Sequence, residues 1–325
     1  MTVPRRHAPD SARRHAPDSV RRHEPDSARR HASDSVRRHA LTIDVEDYFQ
    51  VQAFADRIDR ASWETIPRRV DANMGRILDQ FARAGVHATF FTLAWVAERH
   101  PAIIRRIVAE GHELASHGTD HTRVDAQDTE AFRADIRHSK RVLEDIGGVA
   151  IRGYRAATFS INVRTPWAFE VLAEEGFGYS SSTYPIRHDL YGAPDAPRAP
   201  YRPHDGALWE IPMTTWRVGG HNIPCSGGGY FRLLPYALYR GLLRRAVAAQ
   251  AAPAIFYLHP WEVDPDQPRV PDSSRMARFR HYTNLSRTAA RLDRLLRDFA
   301  WDRMDRVYGD LLAAPVPASA GLAVA

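Results

Sequence analysis

From Ala40 onward the chain alternates short apolar runs with amphipathic stretches, and this alternation constrains the fold more than any single residue does. Residues 41–45, 88–93, 112–116, 151–156 and 254–259 read as strands, because their apolar residues run on without a helical period. Residues 69–84 instead place Val70, Met74, Ile77, Leu78 and Phe81 on one helical face. Residues 101–109 read as a helix opened by Pro101 and stopped by Gly111, and residues 126–146 as a helix ended by Gly147 and Gly148. Residues 165–175, with Pro166 in the first turn, and residues 285–299 complete the helical set. Strands that alternate with helices pair in parallel, so the expected class is α/β and the simplest arrangement a (β/α) barrel. In such a barrel the reactive side chains collect at the C-terminal strand ends.

The polar motifs fall at those ends. Asp44, Glu46 and Asp47 close the first strand, and His117 and His121, four positions apart, follow the third. Two imidazoles and a carboxylate on a divalent ion leave a coordination position open, which suits hydrolysis better than structure. Each motif also has a plainer explanation: the acidic residues could cap a helix or solvate a loop, and the histidines could be surface groups. Their shared placement favours an ion site. Alternation along an extended strand puts Asp44 and Glu46 on one side, which favours Glu46 as the carboxylate ligand, while Asp47 serves if the chain turns after Val45.

The remaining composition excludes more than it assigns. With 44% hydrophobic and 10% aromatic residues among 325, the chain can bury a core. Of its formal charge of +6, +5 resides in an N-terminal octapeptide repeat, Arg-Arg-His-Ala-Pro-Asp-Ser-Ala, with copies from Arg5, Arg13, Arg21 and Arg29 and a truncated one from Arg37. Residues 1–40 hold ten arginines against four aspartates and one glutamate, and the remainder has 35 basic and 34 acidic side chains. A basic pI is therefore no property of the main domain, and no nucleic-acid partner is expected. The repeat has almost nothing apolar to bury and reads as disordered. No apolar run is long enough for a membrane span, and no secretory or twin-arginine leader is readable, so the expected location is cytoplasmic. The one cysteine, Cys225, allows no internal disulfide and lacks a nucleophile's context. Gly227, Gly228 and Gly229 lack the lysine and hydroxyl of a phosphate loop and read as a turn with close backbone approach. Residues 185–229, rich in Pro, Gly and aromatics, read as a long ordered excursion that shapes a groove. The aromatics Trp209, Trp216, Tyr230 and Trp261 read as packing groups or as platforms for sugar rings.

Ala88-Thr-Phe-Phe-Thr-Leu, Ala97-Glu-Arg-His-Pro and Gly111-His-Glu-Leu-Ala-Ser-His-Gly-Thr-Asp-His resemble, in order and spacing, the polysaccharide deacetylases of carbohydrate esterase family 4, the NodB homology domain. Asp44-Val-Glu-Asp-Tyr and Tyr257-Leu-His-Pro-Trp-Glu are similar to the exosortase-associated members, which also have a C-terminal extension like that around Arg278-Phe-Arg-His-Tyr-Thr-Asn-Leu. The resemblance implies a distorted (β/α) barrel and three segments: a repeat tail at 1–39, a catalytic domain at 40–265, and a 266–325 extension whose long helix packs on the barrel. It implies His117 and His121 as metal ligands with Glu46 or Asp47, Asp44 as general base, His259 as general acid, and Arg155 as the group that orients Asp44. It places an oxyanion-binding backbone donor near Thr158, and Trp261 joins the substrate site. The implied cofactor is a divalent ion, Zn with Co or Ni as alternatives. The implied reaction removes N-acetyl groups from N-acetylhexosamine units of an exopolysaccharide or its precursor, with association to the exopolysaccharide assembly machinery.

Two positions depart from the family pattern. Ala157 replaces a common proline, and Ser180 replaces an aspartate that in relatives holds the acid histidine. Loss of that carboxylate would lower the pKa of His259 unless another, such as Glu262, took its place. Two other readings therefore stand beside the first: hydrolysis of a different non-peptide C–N bond, and a metal-free carbohydrate-binding pseudoenzyme.

Overall fold

Apolar strand runs and amphipathic helices do alternate along the chain, as a computed structural model that describes residues 1–2 and 37–315 shows. The strands are β1 (His39–Val45), β2 (Thr89–Thr92), β3 (Glu113–Ser116), β4 (Gly153–Tyr154), β5 (Tyr179–Ser180), β6 (Trp209–Glu210), β7 (Thr215–Val218), β8 (His221–Pro224), β9 (Ile255–Leu258) and β10 (Trp301–Asp302). The helices are α1 (Val70–Ala84), α2 (Ala94–Arg99), α3 (Pro101–Ala109), α4 (Thr129–Gly147), α5 (Trp167–Glu174), α6 (Gly228–Leu233), α7 (Tyr236–Ala249), α8 (Arg275–Tyr282), α9 (Leu285–Asp298), α10 (Met304–Val307) and α11 (Gly309–Ala313). The chain divides into a unit at Met1–Val36 and a unit at Arg37–Ala325. The disordered-tail reading falls, for residues 3–36, outside the described residues. Residues 37–39 correct it: His39 opens β1, and the Arg38 guanidinium pairs with Asp302 at 2.8 Å.

Eight strands form one parallel sheet in the order β10-β1-β2-β3-β4-β5-β6, with β9 also on β1. Successive N–H groups of a strand point to opposite edges. His39 donates to Ala300 O and Ala40 to Ala254 O, so β10 and β9 flank β1 on opposite sides and β10 lies below β2. The C-terminal segment thus supplies a strand of the sheet as well as the expected long helix α9.

The barrel is distorted at the β6–β9 side, where short irregular chain substitutes for strand pairing. Tyr257 N–H donates to Ser226 O (2.7 Å), and Ile255 N–H to the Thr214 hydroxyl (2.7 Å). Gly227 sits at φ 121°, where a Cβ would lie 2.2 Å from Tyr257 O, so the predicted close backbone approach is present and admits only glycine. The excursion at 185–229 contains β6 and the β7–β8 hairpin, which turns at Gly219 and Gly220 with φ of 53° and 83°. No helix among the described residues is long and apolar enough to cross a membrane.

Candidate active site

β1 ends at Val45, and the chain then turns so that Asp44 and Glu46 both face the mouth of the sheet, buried to 2% and 1% exposure. His117 follows β3 directly, and a tight loop returns His121 beside it. Gly118 (φ 83°) and His121 itself (φ 61°) make that return, held by Ala94 N–H on Gly118 O and Trp95 N–H on Thr119 O. The first turn of α2 therefore fixes the loop.

The ligand atoms of Glu46, His117 and His121 all lie within 4.8 Å of one another. His117 Nδ1 is 2.8 Å from the Arg155 carbonyl, which sets Nδ1 as the protonated nitrogen and leaves Nε2 as the lone-pair donor. Burial pushes the His117 imidazole down to about 4, so it is neutral, as a ligand must be. Glu46 Oε2 is buried without a hydrogen-bond partner, although His121 Nε2 approaches it to 2.9 Å. Burial pushes the Glu46 carboxyl up, but His121, His259 and His117 outweigh it and hold the group at about 2. A charged, unsatisfied oxygen beside two imidazole nitrogens fits a divalent cation. Glu46 Oε1 accepts from Trp261 Nε1 (3.1 Å), which fixes its rotation.

Asp47 is placed elsewhere. Its Oδ1 accepts from Tyr48 N–H (2.8 Å), and its Oδ2 from Arg69 N–H (2.7 Å) and Val70 N–H (3.0 Å), the start of α1. The chain does turn after Val45, but the turn carries Asp47 away from the histidines, so Glu46 alone joins them. Burial pushes the Asp47 carboxyl up to about 6 against those three N–H groups.

Asp44 Oδ1 accepts from Arg155 Nη1 (2.6 Å), and its Oδ2 lies 4.0 Å from His259 Nε2. Arg155 is fully buried. Its other donors go to the Thr42 hydroxyl (2.8 Å), the Ser181 carbonyl (3.1 Å) and the Ser181 hydroxyl (3.2 Å), and its plane lies over Phe91. Glu210, which sequence reading did not single out, anchors that neighbourhood by accepting from Ser182 N–H (2.9 Å), Thr183 N–H (2.8 Å) and the Thr183 hydroxyl (2.7 Å).

His259 follows β9. Its Nδ1 is 2.8 Å from Glu262 Oε1, and Glu262 in turn takes Arg232 Nε at 2.5 Å. Burial opposes its cation, but Glu46, Glu262 and Asp44 together raise the imidazole to about 9. Glu262 therefore supplies the carboxylate missing at Ser180, whose hydroxyl donates instead to Ser182 Oγ (2.8 Å).

Thr158 and Phe159 line the same recess as His259, with φ of 55° and 48°, a conformation that non-glycine residues adopt at a cost and that collects at functional sites. Asp44, Glu46, His117, His121, Thr158, His259 and Trp261 line one recess of 140 Å³. Of the two readings of Trp261, packing group and sugar platform, the geometry favours packing. Trp261 is 6% exposed and stacks between His259 (centroids 5.1 Å apart) and His281 (4.1 Å), so no face is free and it serves to position Glu46. Cys225 is buried, and its thiol is pushed up to about 11 by that burial, in keeping with its lack of nucleophilic context.

Residues 61–177 match the family described as polysaccharide deacetylase, and residues 181–309 match one described as a domain of unknown function, DUF3473. The chain is 39% identical over 69 residues to a chitooligosaccharide deacetylase of Rhizobium leguminosarum bv. trifolii, across 21% of this chain and 32% of that protein. It is 33% identical over 75 residues to a peptidoglycan-N-acetylglucosamine deacetylase of Bacillus cereus, across 23% of this chain and 27% of that one. The chain thus matches about a third or less of the length of these relatives. A crystal structure from Mycobacterium smegmatis, assigned to the polysaccharide deacetylases, superposes with a TM-score of 0.53 at 20% identity, over 84% of this chain and 90% of that one, and so shares the fold. Residues 61–177 are thus similar to the polysaccharide deacetylase family, and residues 181–309 to the DUF3473 domain.

Proposed function

We propose that the protein is a metal-dependent hydrolase of non-peptide C–N bonds that removes N-acetyl groups from N-acetylhexosamine units of a bacterial exopolysaccharide or its precursor. One observation carries the reading: a carboxylate base, a three-ligand ion site and a carboxylate-backed histidine line the same small recess. Glu46, His117 and His121 would hold the ion, with zinc the best match to two imidazoles and one carboxylate. When bound, such an ion polarises an acetamide carbonyl and lowers the pKa of a water molecule.

The chain's own residues account for the proton movements. Asp44, oriented by Arg155, takes a proton from the attacking water as the new C–O bond forms. Thr158 lines the recess, and its backbone N–H would serve as a donor to the developing oxyanion. His259, held by Glu262, gives a proton to the nitrogen as the C–N bond breaks. One water is consumed, and acetate and the free amine leave.

The test is acetate release from N-acetylglucosamine oligomers by protein loaded with zinc. Asp44→Asn is expected to lower kcat by about 10²–10⁴-fold with bound metal unchanged. Undiminished turnover in Asp44→Asn, or no acetate from any N-acetylated glycan by the metal-loaded protein, would overturn the reading.

A further inference from the structure

Two grooves leave the catalytic recess, and their linings differ in kind. Val51 borders the recess and both grooves. The first groove, 370 Å³, presents Gln50, Gln52, Asp59, Arg60 and Arg123. Gln50 is 3% exposed, and its Nε2 has no hydrogen-bond partner among the described residues, while its Oε1 is taken by Asp47 N–H at 2.7 Å. A buried amide left with free donors suits a hydroxyl or carbonyl of a bound sugar.

The second groove, 420 Å³, runs between the loop that carries Leu190 and helix α8, and shares Leu190, Tyr191 and Trp261 with the recess. No Asp, Glu, Asn, Gln, Ser or Thr lines it. Its two arginines and His281 are already engaged. Arg232 donates to Glu262 and to the carbonyls of Arg280, His281 and Thr283, and His281 Nε2 is 2.6 Å from Gln267 Oε1. Arg280 pairs with both oxygens of Asp189 across the groove, and His188 stacks on Tyr191 at 4.0 Å. The surface left to a ligand is mainly apolar, with Tyr191 and Tyr230 in its wall, and it extends outward through Met276 and Phe279, 56% and 54% exposed and three residues apart on α8. Hydroxyl-rich sugar would lose hydrogen bonds to water there without replacement.

We infer that the substrate is an amphiphilic glycoside: its acetamido sugar lies over the ion ligands, its saccharide side in the Gln50 groove, and an alkyl aglycone in the groove between Leu190 and Phe279. This rests on the N-deacetylase reading and names its substrate class. The aglycone does not react, so its burial contributes equally to ground and transition states and acts on KM, with kcat unchanged. Each methylene fully buried is worth about a fourfold change in affinity.

The experiment compares acetate release from the methyl and octyl glycosides of N-acetylglucosamine by the zinc-loaded protein, below the octyl compound's micelle concentration. The octyl substrate is expected to have a KM at least about tenfold lower at the same kcat. Phe279→Ser, alone and with Met276→Ser, should abolish that difference while the methyl glycoside retains its kcat/KM, with the thermal midpoint confirming the fold. Equal KM for the two glycosides, or a preference that survives both substitutions, would overturn the inference and leave the deacetylase reading intact. Equal KM together with phosphatidylglycerol vesicle binding lost in the double variant would also overturn it, assigning the patch to a lipid surface. Hydrolysis of neither glycoside, with acetate still released from N-acetylglucosamine oligomers, would overturn the inference as well, whereas no acetate from the glycosides or from any N-acetylated glycan would remove the deacetylase reading on which it rests.

Discussion

Glu46 and Glu113 are buried at opposite ends of one parallel sheet, and their neighbours shift their acidity in opposite directions. Glu46, just past the C-terminal end of β1, faces three histidines and is held at about 2 with one oxygen unsatisfied. Glu113 opens β3 at the other end. Burial and the charge of Asp305 push it up to about 7. Both its oxygens are satisfied: Oε1 by the Tyr179 hydroxyl (2.8 Å), and Oε2 by the Thr89 hydroxyl (2.5 Å) and Asp305 N–H (3.1 Å). Burial alone therefore says nothing about function. A buried carboxylate surrounded by imidazoles and short of donors is ready for a cation, while one surrounded by hydroxyls pins the C-terminal segment beneath the sheet.

Substituting the two glutamates separates these roles. Glu46→Gln should cost the most: bound metal per chain, measured by elemental analysis, falls well below one. Acetate release should drop by more than the roughly 10–100-fold typical of losing a group behind the ligands. Stoichiometric metal in that variant would dissolve the contrast. Next in size is Glu262→Gln, expected to lower kcat by roughly tenfold, less than loss of the acid itself. Glu262 is among the charges that raise His259, so the alkaline limb of the kcat–pH profile should move to lower pH in this variant. A limb that stays in place would detach Glu262 from the acid.

Glu113→Gln should leave metal content and turnover alone and change the pH dependence of stability. Its folded pKa of about 7 lies above the ordinary 4.5, so the fold retains a proton that the unfolded chain gives up. The stabilisation is complete below pH 4.5 and lost as pH rises through about 7, with a slope of at most about 1.4 kcal/mol per pH unit. Urea denaturation at a series of pH values should show a flatter profile in the variant, and an unchanged profile would contradict the assignment. The smallest effect belongs to Asp47→Ala, which removes the acceptor for the first N–H groups of α1. It should cost about 0.5–2 kcal/mol of stability with bound metal retained, and loss of metal there would return Asp47 to the ligand set.

Much of this arrangement was legible along the chain. The helices at α1, α3, α4 and α9 follow their apolar periods to within a few residues, because each buries one continuous face. α7 escaped the reading, since its buried stripe is only Tyr239, Leu243 and Ala246 amid arginines and alanines. β10 has no local pattern at all: Trp301 and Asp302 are a strand only because β1 offers an edge. Ser180 pointed to a weakened His259 unless a carboxylate such as Glu262 took its place, and Glu262, three residues beyond His259, holds it through a short turn. Neither Trp261 as the support for Glu46 nor Glu210 as the anchor for the Ser182–Thr183 backbone follows from spacing, since their partners lie 215 and about 28 residues away.

The sequence by itself determined the class of the fold and where its chemistry would gather, because side-chain period and strand-end placement are local properties of the chain. It also set the donor types, two histidines and an acidic cluster. Only the tertiary structure decided that Glu46 joins the histidines and Asp47 caps α1, that Glu262 backs His259, and that one exit from the recess is polar and the other apolar. Those outcomes depend on which distant groups meet a buried carboxylate or line a shared wall, and long-range packing alone brings them together.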